Sequence, residues 1–150
     1  AMQSQYMTEA TREIFLENFE EDRDVSFVGF CVLGGIFSEG IDLTEDKLVG
    51  AAIVGTGLPQ VCTERELLKQ HFDKKGYNGF DYAYLYPGMN KVQQAAGRVI
   101  RTEEDRGVIL LLDERFFDRR YREVFPREWE RYGICNIENV GTQIELFWEK

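Results

Sequence analysis

Apolar and polar positions along the chain alternate between two periods. From Thr8 to Glu21, Ala10, Ile14, Phe15 and Phe19 recur at three- and four-residue spacing, which predicts a helix. Thr8 is placed to cap it, and Glu9 suits the positive end of its dipole. Val25 to Leu33 is a short, nearly continuous run rich in Val and Phe, the pattern of a strand buried on both faces. It ends at Gly34-Gly35. A second such run, Leu48 to Val54, ends at Gly55-Thr-Gly-Leu-Pro59.

Glu64 to Phe72 reads as helix, and Lys74 to Phe80 is rich in turn residues. Tyr82 to Tyr86 alternates as a short aromatic strand or extended segment. Asn90 to Arg101 has helical composition, with Val92, Ala95, Ala96, Val99 and Ile100 on one side. Gly107 to Leu112 is the cleanest buried strand, closed by Asp113. Asp118 to Val124 is helical and stops before Pro126. Ile137, Val140, Ile144 and Phe147 then predict a terminal amphipathic helix. Apolar strands alternating with helices indicate an α/β domain with a mostly parallel sheet.

With 150 residues and an apolar fraction of 43%, the chain is expected to form a single domain, residues 1–150. No run is long enough to span a bilayer, so no membrane is expected. The Ala1-Met2 start reads as a tag scar, which suggests a piece of a larger protein. Cys31, Cys62 and Cys135 lie far apart, without a CxxC pair, and His71 is the one histidine. Such a set argues against disulfides and against a metal site, and fits the reducing cytoplasm. The net charge of −9 is lopsided: residues 1–66 hold 13 acids and 4 bases, residues 67–150 hold 14 of each. Bulk charge therefore does not announce a nucleic-acid binder.

Three stretches could carry chemistry. The closest approach to a phosphate-cradling loop is Gly50-AAIV-Gly55-Thr56, with Thr where the lysine should be and with its glycines bracketing a strand. The chain therefore lacks its own Walker A. In Gln93-Gln94-Ala-Ala-Gly97-Arg98-Val-Ile-Arg101, helical spacing would put Gln94, Arg98 and Arg101 on one face. Gly97 there would admit a close approach. Two guanidiniums and an amide make a planar clamp for phosphate oxygens. The plainer reading is a solvated face whose arginines pair with Glu103, Glu104 and Asp105. Gly34-Gly-Ile-Phe-Ser38-Glu39-Gly40-Ile-Asp42 follows a predicted strand, where α/β sheets bind ligands. An ordinary glycine-rich loop is the alternative. Arg115 to Arg122 interleaves bases with aromatics, a single-strand-binding pattern, although Glu114, Asp118 and Glu123 also suit a mixed-charge helix. Asp113 and Glu114 are expected to cap the next helix and pair with Arg115. His71 reads as a surface or packing residue, and Trp129 and Trp148 as core or interface.

Together these segments resemble a known family. GGIFSEGIDL (34–43) is similar to motif V of superfamily 2 helicases of the XPD/DinG type, and Gly57-Leu58-Pro59 to the short motif that follows it. QAAGRVIRTEEDRGVILLLDERF (94–116) is similar to that family's motif VI with its D-R-G turn, apolar strand and D-x-R. Tyr121 and FPREW (125–129) fit its continuation. The likeness runs from about Val25 to Trp129. It implies a three-layer RecA-like domain of the P-loop NTPase type, the second motor domain of an ATP-dependent DNA helicase. It further implies that Arg98 and Arg101 reach ATP and Mg2+ held mainly by the first motor domain, with Gln94 linking that site to the substrate. Gly40, Asp42 and Gly97 would border the nucleotide, and Ser38 and Glu39 would couple it to single-stranded DNA. An iron–sulfur cluster would belong to the other motor domain. The implied partners are that first motor domain, in the same polypeptide, and single-stranded DNA, with the whole acting as a monomer. The alternatives are a non-catalytic RecA-like module that binds nucleic acid or protein, and a small stand-alone enzyme using Glu39 and Asp42.

Overall fold

The computed structural model describes residues 1–21, 24–39, 47–102 and 104–149, and for Ser38 and Glu39 the backbone alone. Its centre is a pair of parallel strands. β1 (Gly50–Val54) runs alongside β2 (Val108–Leu112), with Gly50 opposite Val108 and Val54 opposite Leu112. Parallel neighbours need a long crossover. Here it is made of helix α3 (Thr63–Lys74), a π-helical turn (Asp81–Leu85) and helix α4 (Tyr86–Ala96).

The core forms where α4 crosses β1. Leu85, Met89, Val92 and Ala96 are buried against Ile53, and Phe116 and Tyr121 close the cluster from beyond β2. Phe125 and Trp129 pack on it, their rings 5.2 Å apart and edge to face. After β2 come a 3-10 turn (Glu114–Phe117), the short helix α5 (Arg119–Arg122), a second 3-10 turn (Arg127–Glu130) and the terminal helix α6 (Val140–Trp148).

Helix α1 (Glu9–Glu20) forms as expected, with the Thr8 hydroxyl accepting from the Thr11 amide. Its Phe15 stacks on Phe37 of the one-turn helix α2 (Ile36–Glu39) at 4.5 Å, and Phe15 and Phe19 both meet Phe27 edge to face. This aromatic group forms a second, smaller core with Met7, Leu16 and Leu48.

Four expectations need correction. Val25 to Leu33 is not a strand buried on both faces. Among the described residues it pairs only with residues 1–3: the Phe30 amide donates to the Ala1 carbonyl and the Gln3 amide to Phe30, both at 2.8 Å. Phe27 and Gly29 turn to α1, whereas Val25, Val28, Phe30 and Val32 are exposed. A strand is made by its neighbour, and among the described residues that neighbour is three residues long.

Tyr82 to Leu85 lie in the π-helix, and Tyr86 opens α4, so the segment is not strand. The Tyr84 hydroxyl donates to Glu66 at 2.6 Å, Arg65 donates to the Ala83 carbonyl at 3.0 Å, and Tyr82 stacks on Phe72 at 4.0 Å. These contacts to α3 outweigh the alternation. The helix expected over 90–101 begins earlier, with Pro87 in its first turn, and ends at Ala96. In the two-stranded sheet, the strand ends Val54 and Leu112 are exposed, so neither strand is buried throughout.

Candidate functional site

The end of α4 sets the geometry of the principal candidates. Gly97 is its C-cap, and the Arg98 and Val99 amides donate to Ala95 and Ala96 in a closing turn. Val99 is buried while Ile100 and Arg101 are exposed. Arg98 and Arg101 therefore do not share a helical face with Gln94, as the spacing argument required. Gln94 stands exposed on α4, Arg98 is half-buried in the turn, and Arg101 opens the link to β2. The pair belongs to one tight connection instead of one helix.

That connection is fixed at its base. A Cβ on Gly107 would collide with Cγ1 of Val99, so only glycine lets Val99 close over the start of β2. Asp105 ties the middle: one of its oxygens, Oδ2, accepts from the Arg101 amide at 2.7 Å and from the Thr102 amide at 2.8 Å. Those two bonds hold the Asp105 carboxyl below its ordinary range. Arg106 reaches the other way. It donates to the Phe147 carbonyl at 3.1 Å, with its guanidinium 5.4 Å from the Phe147 ring and 5.6 Å from Trp148. The end of α6 is thereby attached to the same connection.

The stretch after Leu33 lies beside α4. Helix α2 packs on α4, and the side chain of Lys91 passes where a Cβ on Gly34 would stand. Gln94 is three residues beyond Lys91, one turn along. Structure thus brings the Gly34–Glu39 stretch against the helix that leads to Arg98. Ser38 and Glu39 are the last two residues of α2. Gly40 and Asp42 lie outside the described residues. Gly97 has ordinary helical backbone angles and is exposed, so no backbone strain requires glycine there.

At the other end of the strands, Asp113 and Arg115 form a two-pronged pair. Oδ1 of Asp113 accepts from the Arg115 amide and Nε, each at 2.9 Å, and Oδ2 accepts from Nη2 at 2.7 Å. Arg115 holds the Asp113 carboxyl below its usual range, and Asp113 raises Arg115 in return. The capping and pairing expected of Asp113 are both present. The loop from β1 approaches here, with the Gly55 amide donating to the Leu112 carbonyl at 3.2 Å. Gly57, at φ +65°, packs on Gly88 of α4 so closely that a Cβ on Gly57 would strike the Gly88 carbonyl and one on Gly88 the Thr56 carbonyl.

The interleaved bases after Arg115 are engaged as a mixed-charge surface. Arg119 pairs with Glu123 at 2.7 Å, Arg120 with Asp118 at 3.5 Å, and Arg122 donates to the Tyr132 hydroxyl at 3.4 Å. His71 is exposed, edge-on to Phe72.

Sequence reasoning passed over Gln93, whose Nε2 donates to the Val124 carbonyl at 2.6 Å and ties α4 to the segment beyond α5. It also gave Asp105 only a pairing role; the Thr-x-x-Asp spacing of 102–105 follows the capping-box pattern, in which the acid reaches back to the amide of the Thr three residues before it. Among the described residues there is no cluster of His, Cys, Asp and Glu placed to hold a metal, and no helix long and apolar enough to cross a membrane. The donors present fit a nucleotide from one side: guanidiniums on a fixed connection, without a lysine-bearing glycine loop.

The sequence model of the helicase C-terminal domain matches residues 1–132. A probable ATP-dependent helicase of Methanocaldococcus jannaschii is 31% identical over 130 residues, covering 79% of this chain and 20% of that protein. The ATP-dependent DNA helicase DinG of Photobacterium profundum is 32% identical over 115 residues, 75% of this chain and 16% of its own. The transcription and DNA repair factor IIH helicase subunit XPD/RAD3 of Saccharomyces cerevisiae is 32% identical over 119 residues, 77% and 15%. The chain spans a fifth or less of the length of these relatives. It is a mixed α/β chain that belongs to the helicase C-terminal domain family of the XPD/DinG-type ATP-dependent DNA helicases.

Proposed function

We propose that this chain is the second RecA-like motor domain of a DNA helicase, a three-layer α/β unit occupying residues 1–150. In this reading Arg98 and Arg101 face ATP and Mg2+ held mainly by the first motor domain of the same polypeptide. The nucleotide supplies the phosphoryl group whose transfer drives translocation along single-stranded DNA. Phosphoryl transfer asks little covalent chemistry of the protein; it asks for positioning and for charge on the γ-phosphate oxygens. Two planar guanidiniums supply that charge. Gln94 and Gly97 border the same site from α4, Gly40 and Asp42 approach the nucleotide from the stretch after α2, and Ser38 and Glu39 link it to the DNA strand. The protein works as a cytoplasmic monomer.

The observation that carries this reading is the pinned connection from α4 to β2. It holds Arg98 and Arg101 on a short, fixed segment beside the helix that also packs against α2. The test is phosphate release with single-stranded DNA present, from the full-length protein and from this chain alone. Turnover by the full-length protein with the chain at background is the expected result. Turnover by the chain alone, surviving stringent purification, would contradict the assignment and favour a stand-alone enzyme.

A further inference from the structure

Arg101 is a long side chain on an exposed connection, and where its guanidinium can reach depends on where its Cα is held. The Asp105 carboxylate holds that backbone. Oδ2 of Asp105 accepts from the amides of Arg101 and Thr102, at 2.7 and 2.8 Å. The Thr102 hydroxyl then accepts from the Glu104 amide at 3.3 Å, closing the short link from the other side. Val99 over Gly107 fixes the base of the connection, so Asp105 has a rigid frame to pull against.

We propose that Asp105 is a positioning residue for Arg101, fixing the backbone from which the guanidinium reaches the phosphate. The inference rests on the reading of Arg101 given above. Asp105 touches no reacting atom in it. Bonds from N–H groups to an ionised carboxylate are the stronger kind, and two of them on one oxygen define the direction in which Cα of Arg101 points. The low-lying carboxyl of Asp105 is consistent with a group that stays ionised while it accepts both. Orientation of this sort governs rate more than affinity: a displacement of about 1 Å can cost roughly 10²-fold.

The experiment uses the full-length protein with Asp105→Ala, Asp105→Asn, Arg101→Ala and the Asp105→Ala/Arg101→Ala double variant. Hydrogen exchange at the Arg101 and Thr102 amides reads the clamp directly, and should quicken about tenfold or more in Asp105→Ala as protection is lost. For the same variant kcat should fall roughly 10²-fold, with KM for ATP, affinity for single-stranded DNA and Tm close to wild type. Asp105→Asn keeps an acceptor oxygen and should recover most of the turnover; it also serves if the alanine variant folds poorly. In the Arg101→Ala background, Asp105→Ala should change kcat no further.

A wild-type kcat in Asp105→Ala beside an impaired Arg101→Ala would overturn the proposal, as would a full additional loss in the double variant or a loss that follows Tm. If Arg101→Ala itself turns over like wild type, the reading of Arg101 fails and the inference falls with it. That outcome is distinct from a failure of the clamp alone.

Discussion

Val99 occupies the space that any side chain on Gly107 would need. The contact joins the turn that ends α4 to the first residue before β2, and so decides how the arginine-bearing connection leaves the helix. Gly107→Ala should cost about 1–3 kcal/mol, the usual range for overpacking. Combining it with Val99→Ala should return part of that cost, because the smaller side chain vacates the collision. Urea unfolding of the two single variants and the double variant reads the coupling, expected at about 0.5–3 kcal/mol. Strict additivity would mean that the two residues do not meet.

The Asp113–Arg115 pair should show itself on the acid side. The Asp113 carboxyl lies below its reference value of 3.8, chiefly through the bonds from Arg115. A depressed carboxyl adds stability that is present above the unfolded pKa and lost as pH falls through the folded one. Stability should therefore decline below about pH 4, and Asp113→Asn should flatten that limb. The effect is modest, since Arg115 is 45% exposed. Thermal melts from pH 7 to pH 2 test it, and an unchanged acid limb in Asp113→Asn would count against the pair.

Single-stranded DNA should bind this chain alone weakly and with steep salt dependence. The net charge of −9 opposes phosphate, and Arg115, Arg119 and Arg120 are already paired with acids. Fluorescence anisotropy at low and moderate salt provides the measurement. Tight binding that ignores salt would show that local contacts, not charge, dominate.

How much was legible depends on whether an element's partner lies in its own pattern. α1, α3 and both strands of the sheet announce themselves through spacing and through runs that end at glycine or aspartate. Val25 to Leu33 does not, because its strand character depends on a neighbour that its own residues cannot specify. The tyrosines of 82–86 mimic strand alternation, yet Glu66 and Phe72 on another element draw them into a π turn. The spacing of Val99 and Ile100 continues the helix on paper, while α4 closes at Gly97 and Val99 packs on Gly107, a tertiary contact.

The same holds for the site. The motifs nominated candidates, and the packing of α2 on α4 brings two of the stretches together. The Thr-x-x-Asp spacing signals the Asp105 clamp, whereas the Gln93 tie to Val124 and the Arg106 contact with Phe147 and Trp148 join residues through bonds that no spacing rule assigned.

The central claim is that Arg98 and Arg101 stabilise charge on a transferring phosphoryl group. The measurement that tests it most directly is kcat for ATP in the full-length protein, beside Tm and DNA affinity, for alanine and lysine at each position. Each alanine variant should lose roughly 10³-fold in turnover, because a trans-acting arginine at this step carries that weight. Tm and DNA affinity should stay near wild type. Lysine should not rescue, since a point charge cannot reproduce a planar fork. Turnover near wild type, or a loss that only tracks unfolding, would show both arginines to be surface charges and would contradict the account.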